Sequence, residues 1–206
     1  MSRGVVERKY EEFLDRMGEK MVEAAKEEVG GDGLVGSIMG EAAGMGARAK
    51  VMSIKEQMQK QGTIVIEYAE ARSRGEDDLE VYERPFLRSN PVLERYEGPR
   101  EEELRDQLVT HFHQVGEDLA PLMDADIDPA TDDFYDALRA EYTREEAKQV
   151  IENNFEQAKT FKEYESGLSF DSPGISRDQV IDIIETGEDR LKQEIYREID
   201  RAYGGS

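Results

Sequence analysis

His111 and His113 are the only imidazoles in the chain, and an H-x-H pair can bind a metal when both rings share one face of a strand. The flanking residues instead repeat as Leu104, Leu108, Phe112, Val115, Leu119 and Leu122, a helical period. Residues two apart on a helix point about 200° apart, so the pair cannot chelate one ion. His111 then joins the apolar face as a core histidine. His113 with Glu117 at i, i+4 is the remaining two-ligand arrangement. The expectation is no bound metal and no cofactor.

Asp124, Asp126 and Asp128 open like a calcium loop, but Pro129 stands where the loop needs glycine and Tyr135 where it needs the bidentate glutamate. This stretch reads as a solvated acidic loop ending in a helix cap. Residues 31–36 fit G-x-G-x-x-G, and residues 44–49 fit G-x-G-x-x-A. That fingerprint binds a dinucleotide only between a buried strand and a helix N-terminus. Helix-like residues precede both matches here, so neither is read as a nucleotide site. No P-loop and no G-x-S-x-G elbow occurs.

The elements that would carry these residues are mostly helices. Val6, Tyr10, Phe13, Met17, Met21 and Ala24 mark a helix over 3–29, stopped by Gly30-Gly31-Asp32-Gly33. A β-branched run at 63–69 and a second short run at 79–82, joined through Ser73-Arg74-Gly75, predict a β-hairpin over residues 63–82. The competing reading carries a helix through Tyr68 to Arg72. Three prolines make 85–99 an extended connector. Helices are then expected over 100–122, 129–141 behind an Asp128 cap, 144–164 behind a Thr143/Glu146 capping box, and 177–203 behind a Ser176/Gln179 box. The fold class is therefore mainly α, with one hairpin and an N-terminal helical arm.

Charge divides the chain. It holds 48 acidic against 27 basic side chains and no cysteine, which excludes disulfides and thiolate chemistry. Residues 1–75 carry 13 acidic and 12 basic side chains, whereas residues 76–206 carry 35 and 15. The division gives a near-neutral arm (1–75), a hairpin strand and connector (76–99) and an acidic helical domain (100–206). Such an acidic excess resembles the solvent adaptation of extreme halophiles, in whose brine like-charge repulsion is screened. No apolar run approaches the ~18–20 residues of a membrane span, so a cytoplasmic or virion setting in high salt is expected.

The arm holds the most unusual segment. Over 34–61, Gly36, Gly40, Gly44, Ala47 and Val51 line one helical face, while Ile38, Met45 and Met52 recur on nearly the opposite one. A helix apolar on two sides is covered on two sides. Its four glycines cost roughly 3–4 kcal/mol relative to alanine, so close packing must offset them. The alternative is a glycine loop over 30–46, with the helix starting near Ala47. Gly36, Ile38, Gly40, Gly44, Met45, Val51 and Met52 are the candidate interface. Arg48, Lys50, Lys55 and Lys60 form a mildly basic face, but no stripe large enough to make nucleic acid the favoured partner. The expected function is a non-enzymatic structural or assembly subunit that oligomerises through the arm. The alternative is a regulatory adaptor that binds a protein or nucleic acid through 34–61.

The charge argument predicts salt dependence. Thermal melts should give a clearly higher midpoint in 3 M than in 0.1 M KCl. Equal midpoints would discard the high-salt reading.

Overall fold

The computed structural model describes residues 2–30, 55–76, 80–125, 134–155, 157–169 and 176–204. Apolar spacing organises its longest central helix, here α5, which runs Glu101–Asp124 and buries all six of the expected residues from Leu104 to Leu122. Before it come α1 (Ser2–Gly30), α2 (residues 55–73), α3 (Glu80–Arg88) and the short α4 (Pro91–Arg95). After it come α6 (Phe134–Glu141), α7 (Arg144–Asn154), α8 (Gln157–Glu163), a 3-10 turn at Glu165–Gly167, and α9 (Arg177–Ala202). The chain is mainly α, and no described helix is long and apolar enough to cross a membrane.

α1 lies along α9 in the most extensive helix pairing, and α1, α6 and α7 each pack on both α5 and α9. One continuous core results, from Val5 and Leu14 of α1 through Phe112 of α5 to Leu191 and Ile195 of α9. Fully burying one such side chain is worth about 1.5–3 kcal/mol. The described residues of the N-terminal third thus share their core with the acidic helices. Residues 31–54, which hold most of the expected docking segment 34–61, lie outside the described residues. The Asp128 cap and Pro129 lie outside them too.

The predicted hairpin over 63–82 is not formed. Residues 63–73 continue α2, and Glu80 opens α3. Two physical features decide this. Gly62 does not break the helix, because the Tyr10 ring of α1 lies where its side chain would stand. The glycine read as a hairpin turn is a helix stop: Gly75, at φ 74°, lets Gly75 N–H reach the Arg72 carbonyl and Glu76 N–H reach that of Ala71. That pair of bonds is a Schellman cap.

The extended connector over 85–99 is likewise partly helical. Pro85 sits inside α3, and Pro91 is the first residue of α4, whose Asn90 cap accepts from the Val92 and Leu93 amides at 2.9 and 3.2 Å. Proline suits that position because its missing N–H is an orphan there anyway. The expected helix over 144–164 divides at Asn154–Phe155. The Asn154 amide donates to the Val150 carbonyl at 2.7 Å, and the Phe155 N–H closes back on Glu152. Asparagine favours such local bonds over helix continuation. Both predicted capping boxes form, Thr143 with Glu146 and Ser176 with Gln179.

Helix crossings use glycine as a flat seat for a large side chain. Tyr10 lies on Gly62, Tyr68 on Gly116, and Met21 on Gly187 with its Cγ 2.8 Å from where a Cβ would be. Gly116→Ala gains about 1 kcal/mol of helix propensity. It must also displace the Tyr68 ring, at a cost of about 1–3 kcal/mol from overpacking. Gly116→Ala should therefore lower stability in urea titrations. Gly4→Ala, in α1 with open space around it, should raise stability by about 0.8–1 kcal/mol.

Candidate functional site

All seven residues of the candidate interface (Gly36, Ile38, Gly40, Gly44, Met45, Val51 and Met52) lie outside the described residues, as do Arg48 and Lys50. Lys55 forms an ion pair with Asp15 of α1, while Lys60 is exposed.

His113 and its neighbours form a hydrogen-bonded chain across three helices. Tyr68 Oη of α2 stands 2.7 Å from His113 Nδ1 of α5, and His113 Nε2 stands 2.8 Å from Glu83 Oε1 of α3. An ionised carboxylate can only accept, so Nε2 donates to Glu83, and in the neutral ring Tyr68 O–H donates to Nδ1. The Tyr68 ring packs against Phe112 with centroids 4.6 Å apart and meets Tyr82 edge-on at 6.2 Å. Burial pushes the Tyr68 phenol up, which keeps it protonated as the donor. Glu117, the expected partner of His113, accepts from Arg72 at 3.1 Å instead. Among the described residues no three His, Asp or Glu side chains cluster closely enough to hold a metal ion.

His111 points elsewhere. It is half-buried, where the sequence suggested a core residue, and it borders a cavity of about 110 Å³ in the middle of the fold. The cavity walls include Phe13 of α1, Met58 and Val65 of α2, Phe112 of α5 and Ile151 of α7. Two buried polar side chains also line it, Gln61 at 4% exposure and Glu188 at 3%. Gln61 Nε2 is buried with no hydrogen-bond partner among the described residues. Both were missed in the sequence, though a signal existed. Gln61 continues the spacing Met58, Val65, Tyr68, and Glu188 sits between Ile184 and Leu191, so each is a polar residue on an apolar stripe.

The third polar feature joins the two ends of the chain. Arg16 of α1 pairs with Glu194 and Glu198 of α9 at 3.2 and 2.8 Å, and Lys20 pairs with Glu194 at 2.7 Å. The Tyr135 hydroxyl of α6 donates to Glu198. Glu194 is held below the usual carboxylate range, first by the Lys20 bond. Burial alone would push Glu198 up, but the bonds from Arg16 and Tyr135 outweigh it, and its net shift is downward.

No protein-family model, no curated protein and no solved structure matches this chain.

The α1–α9 network gives a pH prediction. Both carboxylates have folded values below their unfolded value of about 4.3. Their contribution is therefore complete above that value and is lost as pH falls through the lower folded values. Arg16→Met should lower the melting temperature more at pH 7 than at pH 3, measured at one salt concentration. An equal drop at both would refute the charge-matched role.

Proposed function

We propose that the chain is a non-enzymatic structural or assembly subunit that works in concentrated salt, in a cellular complex or a virion, and self-associates through residues 34–61. The observation that carries this reading is a contrast of apolar surface. The described body has largely covered its own: Val81 is the one exposed large hydrophobic side chain among the described residues. The sequence of 34–61, by contrast, spaces apolar and small residues on two faces of a helix. An exposed patch of that kind exceeds what a soluble monomer usually tolerates.

The hydrogen-bonded chain around His113 fits a structural role within such a subunit. Its inner end, Tyr68, is 1% exposed, and its three members bond one another across three helices. The chain therefore serves as a tie between α2, α5 and α3.

Light scattering in about 2 M KCl, where charge repulsion is screened, tests the proposal. The wild-type chain should form a defined oligomer. Gly40→Leu should disperse it while circular dichroism stays helical. A wild-type monomer at every concentration would overturn the reading, and a monomer that assembles only on adding a second protein would favour the adaptor.

A further inference from the structure

The cavity bordered by α1, α2, α5 and α7 has a size, a lining and one unspent hydrogen-bond donor, and each restricts what it can hold. Its volume of about 110 Å³ is close to that of engineered cavities that take up benzene. It is far below the ~300–1,000 Å³ of pockets for drug-sized ligands or cofactors. Nucleotides, oligosaccharides and acyl chains are too large. A molecule of about six heavy atoms fits.

Charge narrows the class further. Glu188 lines the cavity at 3% exposure and has its own interaction partner. A second carboxylate brought beside it would face repulsion in a low-dielectric interior. A cation would meet the positive end of the Gln61 amide. Lys9, also in the lining, is engaged by Glu12 at 2.8 Å and by the rings of Phe13 and Tyr135. The interior therefore favours a neutral guest.

The donor supplies the remaining specificity. Among the described residues Gln61 Nε2 has no hydrogen-bond partner, and neither has the buried acceptor Gln57 Oε1 one turn earlier on α2. A buried donor without an acceptor loses its solvation with nothing in return. Its polar neighbours are already committed: the Asn154 amide donates to Val150, and His111 and Thr160 have partners of their own. An ordered water needs two to four polar partners, and much of this lining is apolar. A guest with one acceptor and an apolar body matches the lining better. His111 borders both this cavity and an outer groove formed by Gln107, Thr110, Gln114 and Asn153.

We infer that this cavity is a binding site for a small neutral organic molecule, an apolar body of about six heavy atoms bearing one carbonyl- or ether-type acceptor for Gln61 Nε2.

The test uses the full chain and two probes of one shape, cyclopentanone and methylenecyclopentane, which differ only in the acceptor. Titration by NMR should show cyclopentanone binding saturably and shifting the Gln61 side-chain amide signals. Gln61→Met should weaken cyclopentanone about tenfold, the worth of one buried hydrogen bond, and leave methylenecyclopentane within about twofold. Val65→Phe, which fills the cavity from α2, should abolish binding of both probes while the circular dichroism remains helical. The proposal is overturned if neither probe binds the wild-type chain, or if Gln61→Met binds cyclopentanone undiminished. It also falls if Val65→Phe leaves both affinities intact, or if ordered water bonded to Gln61 Nε2 survives saturating cyclopentanone.

Discussion

The charge and shape match between α1 and α9 is the contact on which the other elements depend. Arg16 and Lys20 on α1 answer Glu194 and Glu198 on α9, and Arg190 of α9 answers Glu27 of α1. Beneath these pairs Met21 rests on Gly187, bringing the two backbones close along a buried seam. Single exposed ion pairs contribute little. The Arg16 and Lys20 pairs are part-buried, share Glu194, and sit over an apolar contact, so they fix register as well as adding energy, whereas Arg190–Glu27 is exposed. α6 joins the same place through Tyr135, and α5 closes the other side.

This pairing gives the lopsided charge a meaning that composition alone does not. The near-neutral N-terminal third supplies cations to carboxylates on the acidic remainder: Arg16 and Lys20 to α9, and Arg72 to Glu117 of α5. Part of the asymmetry is therefore internal complementarity within one core. The excess carboxylates that remain, such as Glu102 and Glu145, are exposed. They are the ones for which dissolved salt matters.

How much could be read beforehand depends on the kind of signal. The stripes of α5 and α9 and both capping boxes were legible because period and cap chemistry are local. The segment 63–82 was not. Ile64, Val65 and Ile66 favour a strand by propensity, and tertiary packing overrode them through Tyr10 on Gly62 and Tyr68 on Gly116, contacts whose partners lie far away in sequence. Gly75 was recognised as a reversal but given to the wrong motif, since a hairpin turn and a Schellman cap ask for the same residue. For the candidate sites, the divergence of His111 from His113 followed from helix geometry. The partners Tyr68 and Glu83, and the unpaired amide of Gln61, needed the fold to appear.

The Tyr68 ring has a further consequence, for motion. It is held along one edge by the bare backbone of Gly116 and at its tip by the bond to His113. A tyrosine ring turns over only when its surroundings open by a fraction of its thickness, and here they include the Gly116 backbone of another helix as well as the side chains of Phe112, Tyr82 and His113. Each half-turn of the ring therefore requires α2 and α5 to part and the hydroxyl to release the imidazole. The rate at which its two edges exchange is a clock for the breathing of that helix pair, set by backbone separation in a way that few core aromatics are.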